Sequence, residues 1–327
     1  MSNVSQHLLS GALSGFASTI ILQPFDLLKT RIQQPDQLNK LRLSPLAPQS
    51  TFIFRTARDI VQNDGLVGLW RGTTASLLRN VPGVAMYFTG LNQFRAFLAT
   101  SPYFARLRAQ RTPDAYSTST LPKLTAQGNL LAGALTRVTV GLVLNPFSVI
   151  KARYESSYHS YSSLSGAFIG LMRAGPSEIF RGAVASSLRD APYAGIFVVF
   201  YEQIKSTLSH AIPASPDATV VTGMPFAHSM SMSTAINSAS AASAGALATL
   251  ATQPFDVLKT KMQVRSEAKY RGVGSTIRAV WQQRGVAGFF DGATLRISRK
   301  VFSSAIGWAV YEGVLMAFRT SSVKEQD

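Results

Sequence analysis

The sequence of 327 residues contains no cysteine and only four histidines. Without thiols the chain offers neither disulfide bonds nor thiolate ligands for a metal. It also has no phosphate-binding glycine loop and no nucleophile elbow, so no constellation of catalytic residues can be assigned. We therefore expect a protein that is not an enzyme and that binds neither a metal nor a catalytic cofactor.

Charge is also scarce, and acidic charge is the scarcest. Charged residues make up 15% of the chain, whereas soluble domains have about 25%. The 32 basic residues outnumber the 16 acidic ones and give a net charge of +16, which predicts a negatively charged neighbour. We expect no nucleic-acid partner, because zinc spacings, a helix-turn-helix and RNA-binding aromatic signatures are missing. Anionic membrane lipid is favoured instead.

The sequence does contain a unit that is repeated three times. Each copy has the motif Pro-Phe-x-x-x-Lys-x-Arg/Lys, then a glycine-rich cluster, then an arginine that lies 110 residues from the arginine of the next copy. Such a constant period indicates three copies of one supersecondary unit. The motifs begin at Pro24, Pro146 and Pro254. We assign the repeats to residues 1–101, 122–210 and 232–322.

Each repeat holds two stretches near the length of about 20 residues that crosses a bilayer. They are rich in small residues, which let helices pack closely in lipid. The predicted fold is an all-α membrane protein with six transmembrane helices and pseudo-threefold symmetry. A proline should kink the first helix of each repeat, and short amphipathic helices are expected between the spans, as at residues 52–62 and 273–284. The spans are residues 8–28, 73–98, 130–150, 183–208, 235–258 and 293–318.

The distribution of basic residues predicts an orientation. Eighteen Lys and Arg residues lie on the side of the proline motifs, and eight lie on the other side. Basic residues concentrate on the more protected face of a membrane, so the proline motifs should face that compartment. Six spans place both termini on the opposite side.

Ionisable groups inside the predicted spans are the strongest functional signal after the repeat itself. Such groups are costly in a bilayer and usually face an aqueous cavity or a partner. Threefold packing would bring three equivalent pairs to one depth, where cations would bind a carboxylate and Asp190 an ammonium group. The alternative is that Arg189 and Asp190 neutralise each other while the other cations reach lipid headgroups. Arg137 replaces a small packing residue, and its role is open. The predicted substrate-binding pairs are Arg79-Asn80, Arg189-Asp190 and Arg299-Lys300.

The proline motif places an acid and a base three residues apart, which predicts a first gate. In threefold packing Asp26 pairs with Lys151, and Asp256 pairs with Lys29. The third link is incomplete, because Ser148 offers only a hydroxyl to Lys259. Two partly screened ion pairs of about 1–3 kcal/mol each could be broken when substrate binds. The alternative is three ordinary charge clusters at helix ends.

A second gate is predicted at the other ends of the second helices. Glu312 should pair with Arg95, and Asn92 should hydrogen-bond Lys205, while Glu202 faces an apolar residue. These residues could instead be interfacial charges at helix ends.

The glycine-rich clusters open the second helix of each repeat, where free N–H groups favour lipid phosphate. We predict lipid sites at Arg71-Gly72 and at Arg181-Gly182, whereas Asp291 disrupts the third copy. A purely structural turn is the alternative.

These motifs resemble the mitochondrial carrier family across nearly the whole chain, including the Asp-Gly-x4-aromatic-basic-Gly sequence of residues 64–72. The resemblance implies six helices around a central pathway, alternating access through two salt-bridge networks, bound cardiolipin, a monomer and the inner mitochondrial membrane, with both termini in the intermembrane space. It also implies that Gln33 and Gln263 brace the first gate, where the second repeat has Glu155.

Within that family, the Arg189-Asp190 pair is similar to the contact residues of amino-acid carriers. The second repeat, with Arg137 and Ser148, resembles a glycine-carrying branch that supplies haem synthesis. The resemblance therefore implies import of a small zwitterion, glycine, into the matrix. The alternatives are a carrier of another small amino acid or of a carboxylate, and, in a different class, a non-transporting membrane scaffold.

Overall fold

A computed structural model describes residues 3–34, 49–107, 124–159, 161, 163–211, 232–303, 305, 306 and 310. The regular elements in this part of the chain are helices. The first repeat contains α1 (Asn3–Gln33), α2 (Gln49–Asp64) and α3 (Thr73–Thr100). The second contains α4 (Ala126–Val143), α5 (Asn145–Glu155), α6 (Leu164–Arg173), α7 (Pro176–Ile179) and α8 (Ala183–Ala211). The third contains α9 (Met232–Ala251), α10 (Gln253–Val264), α11 (Val273–Arg284) and α12 (residues 293–303). Short 3-10 turns lie at Leu66–Trp70, Pro102–Leu107, Ala268–Tyr270 and Gly285–Phe290.

The motif prolines act differently in the three repeats. Pro24 lies inside the continuous helix α1. In the other two repeats the helix stops at Leu144 and Thr252, and the proline falls in the first turn of a new helix, where its missing N–H needs no partner. The prediction of a kink at the motif is therefore confirmed in the second repeat, where the chain bends by 66°, but residues 130–150 and 235–258 are each divided into two helices and not one continuous helix. By length and hydropathy, no single described helix qualifies as a membrane span; one pair qualifies, residues 127–143 with α5, bent by 66°.

The long helices follow one another around a ring. Helix α1 packs on α3, α3 on α4, α4 on α8, and α8 on α9. Helix α12 closes the ring on both sides. Its Arg296 donates to the carbonyl oxygen of Thr249 in α9 at 3.0 Å, and its Phe302 ring lies 5.6 Å from the Phe25 ring of α1. The pseudo-threefold bundle is thus continuous from the first repeat to the last.

The proline-motif end of this ring is closed. Helices α1, α5 and α10 contact one another pairwise, and each carries one copy of the motif. The short helices support them from outside; Val149 and Ile150 of α5, for example, pack on the buried Ala167 and Leu171 of α6. The predicted amphipathic stretches at 52–62 and 273–284 are confirmed as α2 and α11.

Large apolar side chains remain exposed along the long helices. Phe16 is 48% exposed, Val81 62% and Val199 55%. Monomeric soluble proteins seldom expose extended apolar surface, and such surface usually marks contact with lipid or with a partner. The outer side of the bundle is therefore unlike the surface of a typical soluble protein.

Candidate functional site

The centre of the ring contains a charged chamber. Two cavities of about 320 and 530 Å³ share Arg79, Arg137, Asp190 and Arg299 in their walls, so they adjoin. Nine basic and four acidic side chains line the smaller cavity. The six residues predicted to bind substrate all line this chamber: Arg79, Asn80, Arg189, Asp190, Arg299 and Lys300.

Arg189 connects the predicted substrate site to the first gate. Its Nε and Nη2 donate to the two carboxylate oxygens of Asp190 at 2.7 and 2.9 Å. Its Nη1 donates to Oδ1 of Asp256 at 2.9 Å. The two residues of this pair therefore neutralise each other in the structure, as the alternative interpretation held, but the arginine also holds a gate carboxylate.

The other cations of the chamber are held in different ways. Arg299 forms an ion pair with Asp26. Asp26 occupies the same position in the first repeat as Asp256 does in the third. Lys300 Nζ lies 3.7 Å from the ring centroid of Tyr193, and Arg137 lies 5.0 Å from that of Tyr87. Stacking on an aromatic face stabilises a cation without neutralising its charge. Arg299 is thus paired with a carboxylate, whereas Lys300 and Arg137 lie against aromatic rings at the chamber wall.

The two ion pairs predicted for the first gate are present. Lys151 Nζ lies 2.6 Å from Oδ2 of Asp26. Lys29 Nζ lies 2.6 Å from Oδ2 of Asp256, which is fully buried. Each pair joins two repeats across the axis, so the pairs hold the closed end together. That they open and close in transport stays a prediction.

The third position of the gate lacks an ion pair, as the sequence predicted. The Ser148 hydroxyl contacts only the side-chain amide of Gln263, at 3.4 to 3.5 Å. Lys259 is buried, and no ion pair or hydrogen bond joins it to any residue that the structure describes. The gate thus has a carboxylate at two corners and a hydroxyl at the third.

The predicted brace residues lie against the gate. Gln33 Nε2 donates to Oδ2 of Asp256 at 3.2 Å, while Gln263 contacts Ser148. At the equivalent position, Glu155 is buried and accepts hydrogen bonds from Thr30 at 2.8 Å and from Gln23 at 3.1 Å. The second repeat therefore lacks an acid at the gate and has one at the brace.

Two of the glycines predicted to bind lipid lie where neighbouring repeats approach closely. Gly72 has φ +89° and Gly182 has φ +71°. A Cβ atom at position 72 would lie 3.2 Å from Cγ of Glu155, and one at position 182 would lie 3.0 Å from Cγ of Gln263. Contact with the brace of the next repeat therefore requires glycine at both positions.

The arginines beside these glycines are already engaged within the protein. Arg71 Nη2 donates to the carbonyl oxygen of His159 at 3.1 Å. Arg181 is buried and donates to Glu178 at 2.5 Å, and Arg153 also forms an ion pair with that carboxylate. Burial opposes ionisation of Glu178, but the two arginines hold its pKa below the usual value. Lipid binding at these turns stays a prediction.

The second gate is not assembled in the described part of the chain. Asn92, Glu202 and Lys205 are exposed, and Lys205 Nζ lies 5.7 Å from the Tyr201 ring centroid. Asn92 and Lys205 form no hydrogen bond with each other in the described residues, so their pairing in a closed second gate stays a prediction. Arg95 Nε is buried without a hydrogen-bond partner, and Glu312 lies outside the described residues.

Several functional contacts were not predicted. Arg296 donates to Thr249, Thr252 and Gln253, and Glu178 joins two arginines. A further contact had a signal in the sequence. Where the first repeat has Asp64 and Arg71, the third repeat has Arg284 and Asp291, and these two residues of exchanged charge form an ion pair with each other.

Comparison with known proteins agrees with this architecture. The family model described as Mitochondrial carrier protein matches residues 1–102, 122–211 and 231–322. A mitochondrial glycine transporter of Laccaria bicolor is 58% identical over 327 residues, covering 98% of this chain and all of the relative. Proteins of the same name from Pyricularia oryzae and Ajellomyces capsulatus are 40% and 39% identical, covering 96% and 95% of this chain and 92% and 87% of the relatives.

Proposed function

The chain belongs to the mitochondrial carrier family, and on that premise we propose that it imports glycine into the matrix across the inner mitochondrial membrane. The observation that carries glycine as the substrate is the 58% identity to a mitochondrial glycine transporter over almost the whole of both chains. The family match in three repeats supports transport over an enzymatic role.

We further propose that six helices span the membrane, formed by α1, α3, the pair α4 and α5, α8, the pair α9 and α10, and a helix that begins with α12. The exposed apolar side chains on the long helices support a lipid-facing surface. The excess of basic residues on the proline-motif side supports a matrix location for that side, which leaves both termini in the intermembrane space.

The proposed mechanism is alternating access about the chamber. The closed proline-motif end separates the chamber from the matrix, and two ion pairs hold it shut. Glycine presents an ammonium group to Asp190 and a carboxylate to the surrounding cations. Since Arg189 bridges Asp190 and Asp256 at 2.7 to 2.9 Å, the substrate site and the gate share one arginine, and a substrate that draws Arg189 away from Asp256 weakens a contact of the gate. Substrate binding is thereby coupled to opening.

The proposal is tested with purified protein in liposomes, by measuring uptake of labelled glycine. Asp190→Asn should abolish uptake because it removes the negative charge that the ammonium group requires. Asp59→Asn is the matched control, because Asp59 is an exposed acid on α2, away from the chamber. Full glycine transport by Asp190→Asn would contradict the assigned role of that residue.

Because one corner of the first gate lacks an ion pair, we propose that the empty carrier can also interconvert and allow net uptake. Glycine should then enter empty liposomes as well as liposomes preloaded with amino acid. Uptake that occurs only into loaded liposomes would restrict the protein to exchange.

The proposal also includes a monomer with cardiolipin bound between its repeats. We further propose that the imported glycine serves haem synthesis. Measuring porphyrin levels in cells that lack the protein would test this role.

A second candidate is a carrier of a carboxylate without an amino group. The observation that favours it is the excess of nine basic over four acidic side chains in the smaller cavity. A substrate panel in the same liposomes separates the two candidates, since glycine should exceed carboxylates that lack the amino group. Serine and alanine belong in that panel as the nearest competitors of glycine.

A further inference from the structure

The closed gate has three equivalent corners, at Asp26, Ser148 and Asp256. Two of them follow the same rule for how their charges are arranged. Asp256 receives Lys29 from the following repeat at 2.6 Å and Arg189 from the preceding repeat at 2.9 Å. Asp26 likewise receives Lys151 from the following repeat and Arg299 from the preceding one. Each corner is therefore one carboxylate that two cations from two other repeats share.

The same rule identifies the cations of the third corner. Ser148 takes the place of the acid. The equivalent lysine of the following repeat is Lys259, and the equivalent arginine of the preceding repeat is Arg79. Among the residues that the structure describes, neither cation forms a direct ion pair with a carboxylate, although Asp190 attracts both from a greater distance, and Nε of Arg79 is buried without a hydrogen bond. Burial of a charge without a partner is unfavourable, so this corner has the residues to bind an anion but supplies none itself.

The third corner opens into the chamber. Ser148, Lys259 and Arg79 line the same cavity of about 320 Å³, and Asp190 lines it as well. This volume is about ten times the roughly 30 Å³ that a water molecule occupies in the liquid, which leaves room for a small amino acid. The cavity thus presents Lys259, Arg79 and the acid Asp190 to the same ligand.

We propose that the carboxylate of the transported substrate binds at the third corner, between Lys259 and Arg79, where the other two repeats have an aspartate. The inference rests on the proposed function as a carrier of a small amino acid. The substrate then completes the threefold network with its own charge, while its ammonium group faces Asp190. Amines without a carboxylate would leave the corner unfilled and would bind poorly.

The test is to supply the missing acid from the protein. Ser148→Asp should occupy the corner permanently and compete with the substrate carboxylate, and Ser148→Asn has a similar volume without the charge. We expect KM for glycine in liposomes to be about tenfold or more higher for Ser148→Asp than for Ser148→Asn, since hydrogen bonds to charged groups contribute about 1.5–3 kcal/mol. Glycine should also cease to raise the unfolding temperature of Ser148→Asp.

The folding of the variant is checked through its unfolding temperature without glycine, which should exceed that of the wild type. Lys259→Gln provides a second measurement, because it removes one of the two cations and should also raise KM. Equal KM values for the aspartate and asparagine variants, or a loss of maximal rate alone, would overturn the inference. If the wild type took up no glycine, the proposed function itself would fail, so the two failures are distinguishable.

Discussion

The corner at Asp256 and the corner at Ser148 occupy equivalent places in the fold but differ in charge. At the first, one buried carboxylate contacts a lysine at 2.6 Å, an arginine at 2.9 Å and the Gln33 amide at 3.2 Å. At the second, a hydroxyl contacts only an amide at 3.4 to 3.5 Å. The same backbone arrangement therefore holds a complete charge network in one repeat and lacks its central acid in another.

The two kinds of corner meet two different requirements of a carrier, which are closure of one end and binding of a ligand. The complete corners join the repeats and keep the proline-motif end shut. The incomplete corner leaves cations exposed to the chamber, where a ligand can reach them. Variants that remove charge from one corner and from the other should therefore have opposite effects on stability.

The largest effect is expected where the complete corner loses its acid. Asp256→Asn leaves Lys29 and Arg189 buried with less compensation, and breaking a buried pair costs about 3–5 kcal/mol. The unfolding temperature of the purified protein should fall sharply and glycine uptake should be lost. Asp59→Asn, on the surface of α2, should leave both unchanged. A normal unfolding temperature for Asp256→Asn would mean that the network does not stabilise the closed end.

Removal of one lysine from each corner tests the comparison directly. Lys29→Gln deprives Asp256 of a charged partner and should lower stability by about 2 kcal/mol. Lys259→Gln removes a buried cation that has no described acidic partner, so the unfolding temperature should stay the same or rise. Parallel thermal unfolding of the two variants gives the answer. A similar loss in both would show that the third corner is compensated in some other way.

A third effect concerns the turns that place the braces. Gly182→Ala should cost about 2 kcal/mol, since its φ is +71° and a Cβ would press on Gln263 and on the Lys259 carbonyl at 3.0 and 3.3 Å. Gly175→Ala, with φ +90° and nothing within 4 Å, should cost only the backbone strain of about 1 kcal/mol. Thermal unfolding of both variants measures the difference, and equal losses would remove the role of close packing at Gly182.

The smallest effect is a pH dependence at a histidine within the second repeat. Burial, together with Arg153 and Arg181, lowers the pKa of His159 from 6.5 to about 4, while Glu178 acts in the opposite direction. The unfolded chain therefore takes up a proton first, and stability should fall by about 1 kcal/mol as the pH drops from 6.5 toward 4. His159→Gln should flatten that part of the pH profile. An unaltered profile in His159→Gln would assign the dependence to other groups.

The ion pairs of the gate were predictable because the motif occurs three times. Spacing alone places Asp26 opposite Lys151, and Asp256 opposite Lys29, once threefold packing is assumed. The bridge from Arg189 to Asp256 was not predictable, since a long flexible side chain can reach several acids and the sequence does not select one. The hydrogen bonds of Arg296 to Thr249, Thr252 and Gln253 were not predictable for the same reason.

The helix breaks show a different limit. The letters Pro-Phe occur in all three motifs, yet α1 continues through Pro24 while new helices begin beside Pro146 and Pro254. Proline is compatible with the first turn of a helix and with a kink inside one. Which of them forms depends on packing, which a local motif does not contain.

The contact of Gln33 with the last repeat has a consequence for how the protein is made. The side chain of Gln33 donates to the carboxylate of Asp256 and to the carbonyl oxygen of Asp291, which are 223 and 258 positions away. During synthesis, the first repeat must therefore wait for almost the entire chain before its brace finds its partners. Closing so long a segment carries an entropic cost and slows folding. The contacts of Gln33, which is synthesised early, therefore form last. Chains that stop before position 256 cannot form them.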